Sequence, residues 1–408
     1  MKGIINKLTQ IGLSCIIFCI LYKLVQELLE EEGVRIALEQ SNVDSLGPLP
    51  VEIQGKEDVT EIPLAIESEK TVTSGDSCPK VQCPENQSPG PSPISTIDSL
   101  CYRDPNLPEK RVGRPILLDQ PSFHLVQNYL KSKPLNPKHK KDLVPQLVTA
   151  FSANHFHEHQ QIIPTAFEHY PNQKILVYDI GLSNDQIDYI KENDDKYIYA
   201  KYDFEKYPRH AKQFQNMVFK VTIWIECLLK YKACQWFDTS IAFTKNSSVP
   251  IQKYAIEKDT DFIYYIHPAG HNIAWATHPE MFAFFPSQIT KFNENPDKEG
   301  RRMSMAGAVI IYDTLECREG ILKWAYMCAL NPDCISPSSP LMPAKKWKGM
   351  MAVDNHYCNG TAPKQRPYNC HRYDQSMLSI LVNNHYKYET NRFHIEKDEW
   401  IAMSRRVG

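Results

Sequence analysis

The sequence predicts an α/β fold with a mostly parallel central sheet flanked by helices, preceded by an N-terminal membrane helix and a disordered stem. Three observations lead to this fold class. Strand and helix signals alternate along the chain from Tyr102 onward, as they do in parallel sheets that helices cover on both faces. Residues 8–22 carry no charged side chain, and residues 23–101 contain no aromatic side chain.

The composition is that of a large chain with nearly balanced charge. Its 408 residues exceed what one compact core usually needs. The chain has 46 Lys and Arg residues against 48 Asp and Glu residues, which gives a net charge of −2 at pH 7. A nucleic-acid-binding protein would show a basic stripe or a high isoelectric point, so we expect no nucleic-acid partner.

The uncharged segment near the N-terminus predicts a signal anchor. A spanning helix needs about 17–25 mainly apolar residues, and Lys23 can extend residues 8–22 to this length by reaching toward the lipid headgroups. Lysines precede the segment and glutamates follow it, which places the N-terminus in the cytosol. We therefore predict a cytosolic tail at 1–8 and a membrane helix at 9–26. A cleaved signal peptide and a peripheral helix are the alternatives.

The next segment predicts a flexible stem at 27–100, because it is rich in Pro, Ser and Glu and cannot bury enough apolar surface to order itself. A single-pass type II protein of the ER or Golgi membrane, with residues 101–408 in the lumen, follows from this order. Ten cysteines lie outside the membrane helix, an even number that fits a disulfide framework. Three N-glycosylation sequons, at Asn86, Asn246 and Asn359, are compatible with the lumen.

The elements of the predicted domain follow from local patterns. Short apolar runs that end at Gly, Asp or polar turns predict strands, and apolar residues at i, i+3 and i+4 predict helices. The predicted strands are 147–152, 174–179, 198–202, 235–238, 262–266, 274–277 and 306–312, and the predicted helices are 213–231, 317–330 and 374–383.

The strand that ends at Asp238 carries the first candidate site residue. A carboxylate at the C-terminal end of a buried strand lies where open α/β sheets bind ligands. The alternative is that Asp238 only caps the turn that follows the strand. A diphosphate is commonly held through a divalent metal, and hard cations prefer oxygen ligands. Ser240 stands where a second carboxylate would be useful, and His371 is the candidate that completes a metal site with Asp238.

Asp374 and Gln375 open the last predicted helix and are the candidate catalytic residues. The Asp374 carboxylate could face a sugar or accept a proton from an acceptor hydroxyl. It could equally be a first-turn acid that complements the helix dipole. Gln375 could donate hydrogen bonds to sugar hydroxyls.

Further residues are candidates for binding the diphosphate or the sugar of a nucleotide-sugar donor. Lys220, flanked by apolar residues, could neutralise a diphosphate. Gly307 precedes a buried strand and would allow a ligand to approach the backbone closely. We also expect Ser152 and Asn154, which follow the first predicted strand, to contact the donor. The alternating histidines of 154–159 (NHFHEH) are more typical of a solvated turn than of a metal cluster.

Several motifs in one order carry a resemblance to a domain family of unknown function that is expanded in nematodes. They are AFSANH (150–155), VYDIGLS (177–183), WFDTS (236–240), AGAVIIY (306–312), the cysteine-rich segment 317–337 and CHRYDQS (370–376). More remotely, the chain resembles retaining glycosyltransferases of the glycogenin and galactosyltransferase-like kind. That resemblance implies a GT-A fold, in which Asp238 matches the first Asp of D-x-D, Gly307 the Gly of N-A-G, and Asp374-Gln375 the D-Q pair. Ser240 and Met305 depart from the second Asp and the Asn of these motifs.

The resemblance implies a glycosyltransferase that moves a hexose from a nucleotide sugar, a UDP-hexose by expectation, to a glycan or glycoprotein acceptor. Mn²⁺ or Mg²⁺ would assist at Asp238 and His371. The alternatives are a catalytically inactive relative that acts as a lumenal binding or scaffold protein, and a disulfide-held structural ectodomain.

Overall fold

The computed structural model describes residues 100–107, 111–245, 248–266, 268–269, 271–293, 302–337, 370–395 and 401–403. The predicted cytosolic tail, the membrane helix and the stem up to residue 99 lie outside these ranges, as do the three sequon asparagines. Among the described helices, none has the length and apolar character needed to cross a membrane.

A six-stranded sheet forms the centre of the domain. Its strands run in the order β3-β2-β1-β4-β7-β6. Every strand is parallel to β1 except β7, which pairs antiparallel with both β4 and β6. β5 and β8 form a separate antiparallel pair. The strands are β1 Gln146–Phe151, β2 Ile175–Asp179, β3 Tyr197–Lys201, β4 Ala233–Phe237, β5 Ile241–Phe243, β6 Phe262–Tyr264, β7 Ala308–Tyr312 and β8 Ile401–Met403.

Helices cover both faces of the sheet, which confirms the predicted α/β class. The described helices are α1 Gln120–Lys131, α2 Phe156–His169, α3 Asn184–Glu192, α4 Val218–Tyr231, α5 Ser248–Glu257, α6 Pro279–Phe284, α7 Ile289–Asn293, α8 Leu315–Cys317, α9 Lys323–Leu330, α10 Pro332–Ile335, α11 Asp374–His385 and α12 Thr390–Phe393. A π-helical turn, Arg318–Leu322, joins α8 to α9.

The alternation of side chains along each strand divides the core into two layers. Trp236 packs on the face covered by α4, α9 and α11, whereas its neighbour Phe237 packs on the face covered by α2. Both side chains are almost completely buried. β4 therefore lies inside the sheet and is held from both sides, so the residue that follows it has a fixed position.

A tight reversal joins α4 to β4 and sets the position of the site. The helix ends at Tyr231, and Lys232 adopts a left-handed conformation with φ +66°. The chain then enters β4 at Ala233. A disulfide between Cys227 of the helix and Cys234 of the strand closes the same reversal. The N-terminal end of α4 consequently returns to the carboxyl end of β4.

The structure corrects three expectations about local structure. The segment predicted as a strand at 274–277 is a short 3₁₀ turn, Ala274–Ala276, and the Asn272 side chain accepts a hydrogen bond from the Trp275 amide. The helix expected from 213 begins at Val218, after a 3₁₀ turn at Phe214–Asn216. The histidine motif does not form a solvated turn, because His159 lies in α2 and is buried.

The disulfide framework expected from the cysteine count is present in part among the described residues. A second disulfide joins Cys328 at the end of α9 to Cys334 in α10. Cys317, the first cysteine of the cysteine-rich segment, is a buried free thiol. The spacing of the cysteines alone did not predict which of them form disulfides and which remain free thiols.

Candidate functional site

The reversed strand β7 brings the segment before it to the same edge of the sheet as Asp238. Phe237 pairs with Ala308, so the residue after the end of β4 lies opposite the residue before the start of β7. The Asp238 amide donates a hydrogen bond to the Gly307 carbonyl at 2.8 Å. A Cβ atom at Gly307 would lie 3.1 Å from Oδ2 of Asp238. The glycine therefore leaves the space that the Asp238 carboxylate occupies.

Trp236 orients the Asp238 carboxylate from the core. The indole Nε1 of Trp236 donates to Asp238 Oδ1 at 2.8 Å, as alternation along the strand places both residues on one face. The side chain of Asp238 is 35% exposed, whereas Trp236 is buried. A carboxylate that is fixed by a buried donor and still reaches solvent is suited to ligand contact rather than to packing.

Lys220 lies between two carboxylates. It stands in the first turn of α4, which the α4–β4 reversal carries to the end of β4. Its Nζ lies 3.0 Å from Asp238 Oδ1 and 3.6 Å from Asp374 Oδ2. The Ala306 carbonyl accepts a third contact at 3.3 Å, and the lysine is only 6% exposed. Oxygen atoms from three segments of the chain thus surround one buried ammonium group.

Asp374 begins α11 and is the most buried acid of the site. It is 3% exposed, and its Oδ2 has no hydrogen-bond partner among the described residues. Burial raises the pKa of the Asp374 carboxyl, and the charge of Asp238 adds to the rise while Lys220 opposes it. Gln375 follows it, and its side-chain oxygen accepts from Nε of Arg372.

Two helices begin at this place, each directly after a residue with positive φ. Met217 precedes α4 with φ +56°, and Tyr373 precedes α11 with φ +44°. Left-handed or otherwise strained conformations at bulky residues are uncommon and concentrate at functional sites. The dipole of each helix favours an anion at its N-terminus.

These groups line one cavity at the carboxyl edge of the sheet. The cavity is lined by residues from the start of α4, the end of β4 and its following turn, the segment before β7 and the start of α11: Met217, Lys220, Asp238, Ser240, Ile241, Ile266, Met305, Gly307, Arg372, Tyr373, Asp374 and Gln375. Five of the residues selected from the sequence meet here, namely Asp238, Lys220, Gly307, Asp374 and Gln375.

Three other selected residues are not brought to this cavity. His371 is buried beside it, where its Nδ1 accepts from the His278 amide at 3.1 Å and its Nε2 contacts the Ile335 carbonyl at 3.0 Å. Both ring nitrogens are therefore engaged, and His371 lies where it supports the fold. Ser152 and Asn154 follow β1, at the same edge of the sheet, where the Ser152 hydroxyl contacts the Asn154 side chain at 2.6 Å.

Sequence reasoning missed Arg372, Met217 and Tyr373, which also line the cavity. Arg372 could have been found, because it stands two residues before Asp374 and adds a second cation to the predicted site. The two cap residues carry no sequence signal, since Met and Tyr rarely adopt positive φ.

No metal ligand set is assembled at the cavity or elsewhere in the described part of the chain, where no group of three or more His, Cys, Asp or Glu side chains could hold an ion. At Asp238 the position between the carboxylates is taken by the Lys220 ammonium. A divalent cation would need oxygen ligands at about 2.0–2.6 Å in the same volume. The residues present do not fit a metal between Asp238 and Asp374.

Comparison with known proteins agrees with the resemblance seen in the motifs. Residues 95–224 match the family described as "Protein of unknown function (DUF1647)", which confirms the expected similarity to a domain family without assigned function. No curated protein sequence matches the chain.

Several solved structures that are similar to the chain are glycosyltransferases. The apo structure of the bifunctional glycosyltransferase WbbM is 13% identical over 48% of this chain and 35% of its own, with a TM-score of 0.31. The mannosyltransferase Ktr4p of S. cerevisiae, in complex with GDP, is 11% identical over 53% and 73%, with a TM-score of 0.32. Mouse xyloside xylosyltransferase 1 is 9% identical over 62% and 85%, with a TM-score of 0.34. The chain thus spans about a third of the length of WbbM.

Proposed function

We propose that the protein is a glycosyltransferase with a GT-A-like domain, which transfers a hexose from a nucleotide sugar to a glycan or glycoprotein. One observation carries this proposal. Asp238, Gly307 and the Asp374-Gln375 pair, which the motif resemblance assigns to the donor site, are far apart in sequence and line one cavity. Folding alone gives no reason for the three segments to present polar groups to a shared space at the ligand-binding edge of the sheet.

The charge of the cavity suits the leaving group of such a reaction. The bond between the anomeric carbon and the diphosphate oxygen breaks. The acceptor hydroxyl oxygen forms the new bond, and its proton passes to the Asp374 carboxylate. Negative charge develops on the diphosphate, which Lys220, Arg372 and the starts of α4 and α11 can stabilise. In this proposal, Asp374 and Gln375 contact the sugar.

The proposed setting is the lumen of the ER or Golgi, with residues 9–26 as a type II membrane anchor and 27–100 as the stem. The disulfides Cys227–Cys234 and Cys328–Cys334 support an oxidising compartment.

Release of free nucleotide tests the proposal. The protein is incubated with UDP-hexoses and GDP-hexoses, first alone and then with a mixture of glycans, and release of UDP or GDP is measured. We expect release from one donor. Asp374→Asn should reduce it by about a hundredfold or more, because it removes a carboxylate that contacts the reacting groups. The matched control Asp188→Asn, on the exposed face of α3, should leave release unchanged.

A second candidate function is a lumenal binding protein related to these enzymes but inactive. Ser240 in place of a second carboxylate favours it, because the described residues assemble no metal-ligand set at Asp238. This function predicts that UDP or GDP binds the cavity while no donor is consumed with any acceptor. Complete failure of UDP and GDP to bind would contradict both functions.

A further inference from the structure

The position of Lys220 bears on how the site can hold a diphosphate. Its Nζ contacts both carboxylate oxygens of Asp238, at 3.0 and 3.4 Å, and Oδ2 of Asp374 at 3.6 Å. The Ala306 carbonyl lies at 3.3 Å. A shell of carboxylate and carbonyl oxygens is what a hard cation selects. In this protein, the centre of that shell is an ammonium group that belongs to the chain.

The fold holds this ammonium in place. Lys220 lies in the first turn of a buried helix whose other end is tied to β4 by the Cys227–Cys234 disulfide. Its Nζ also lies 5.6 Å from the centre of the Trp236 ring, within range of a cation–π contact. Moving the charge out of the site would leave Asp374 buried without a counter-ion, which is costly. Lys220 is therefore a fixed part of the site.

The charge count of the cavity is already that of a metal-loaded site. A divalent cation between two carboxylates leaves no net charge. Lys220 and Arg372 supply the same two positive charges against Asp238 and Asp374. An added cation would be repelled by Lys220, and neither ring nitrogen of His371 is available to it.

We propose that Lys220 takes the place of the divalent cation, so that the cavity binds the diphosphate of a nucleotide sugar without metal. This inference rests on the proposed function, because it concerns the same donor site. In the bound state a phosphate oxygen replaces one of the oxygens around Lys220 Nζ. Asp238 orients the ammonium instead of ligating a metal.

Calorimetric titration of UDP and of GDP into the protein, in EDTA and in MnCl₂, tests the inference. We expect one nucleotide to bind with affinities that differ by less than about twofold between the two buffers, well below the tenfold that about 1.4 kcal/mol represents. Binding that requires MnCl₂ would overturn the inference and leave the proposed function standing. Failure of both nucleotides to bind in either buffer would overturn the proposed function itself.

Variants distinguish diphosphate binding by Lys220 from diphosphate binding by a metal ion. Lys220→Ala should weaken binding in EDTA by at least about tenfold, since it removes a charge-assisted contact. It should also gain a response to MnCl₂, because the two carboxylates become available. The exposed Lys253→Ala, whose side chain is 74% exposed, is the matched control and should bind as the unmodified protein does.

A second variant covers the case in which Lys220→Ala does not fold. Asp238→Asn keeps one oxygen acceptor, which the Trp236 indole and Lys220 share at the Oδ1 position, and removes the charge and the second acceptor. A lysine-based site should keep or increase its affinity for the nucleotide in EDTA, because one negative charge near the diphosphate is removed. Loss of nucleotide binding in Asp238→Asn, with folding retained by circular dichroism, would contradict the inference.

Discussion

At the scale of single residues, the site is organised by contacts that each have one purpose. Trp236 orients Asp238, Asp238 and Asp374 hold Lys220, and the absence of a side chain at Gly307 leaves room for the Asp238 carboxylate. Arg372 adds a second cation to the same cavity. These contacts lead to separate predictions for variants of Gly307 and of Arg372.

Gly307→Ala should weaken nucleotide binding more than it destabilises the fold. The new methyl group would lie 3.1 Å from Asp238 Oδ2, and this partly exposed carboxylate can move away toward solvent. Its displacement changes the position of Lys220. Calorimetry should show weaker UDP or GDP binding with a nearly unchanged melting temperature. A large fall in melting temperature with normal binding would show that Gly307 serves packing alone.

Arg372 should contribute through its charge and its planar shape. Arg372→Lys keeps the charge but cannot contact Gln375 and a phosphate in the same geometry, whereas Arg372→Ala loses both. Affinity for the nucleotide should therefore fall in the order Arg, Lys, Ala, and the difference should shrink at high salt. Equal affinities of the three proteins at low salt would exclude Arg372 from the diphosphate site.

At the scale of elements, the reversal between α4 and β4 brings Lys220 to Asp238. Its left-handed residue, Lys232, makes the reversal possible in one step. The Lys232 Nζ also lies 3.6 Å from Asp313 Oδ2, beyond hydrogen-bond distance, and the buried Asp313 carboxylate already pairs with Arg318. The conformation of its backbone is thus the main contribution of position 232.

Two substitutions of Lys232 distinguish the contribution of its backbone conformation from that of its side chain. Both Lys232→Gly and Lys232→Ala lose the contact with Asp313, but only glycine adopts positive φ without cost. Lys232→Gly should be more stable to unfolding than Lys232→Ala by about 1 kcal/mol. Denaturant unfolding of the two variants measures this difference directly. If the alanine variant were equally stable, the left-handed reversal would not be a constraint on the α4–β4 connection.

At the scale of the whole molecule, several histidines are buried in neutral form. Burial lowers the pKa of His159, His271, His385 and His394 to about 4 in each case. His159 lies among the rings of Phe151, Phe156 and Tyr197, with neither ring nitrogen hydrogen-bonded among the described residues. In the unfolded chain these histidines take up a proton near pH 6.5, whereas in the folded protein they stay neutral down to a lower pH.

Stability should consequently fall as the pH falls from about 6.5 to 4. At these histidines the unfolded chain binds more protons than the folded one in this window. Their contribution to the free energy of unfolding therefore decreases toward acid, by at most about 1.4 kcal/mol per unit of lowered pKa for each histidine. Thermal melts across this window measure the slope. His159→Phe, which keeps an aromatic ring and removes the titration, should flatten it. An unchanged slope would show that His159 is not protonated on unfolding.

The sequence predicted the layers of the fold and selected five residues that line one cavity, but not the contacts that bring them together. Alternating apolar runs located β1, β2, β4 and β7, because strands buried on both faces have a strong local signal. The prediction of a short strand at 274–277 is wrong. This apolar segment forms a 3₁₀ turn, in which the Asn272 side chain accepts a hydrogen bond from the Trp275 amide. The cavity position of Lys220 follows from the α4–β4 reversal, and the engagement of His371 by His278 and Ile335 depends on contacts distant in sequence.

We propose that Lys220, Asp238 and Asp374 form the diphosphate site of a nucleotide-sugar transferase. A crystal structure of the protein soaked with UDP or GDP in EDTA is the decisive measurement. We expect diphosphate oxygens within about 3.2 Å of Lys220 Nζ, with Arg372 beside them and the base extending along the sheet edge toward Ser152. A nucleotide bound away from this cavity, or ordered only after Mn²⁺ is added, would exclude this site.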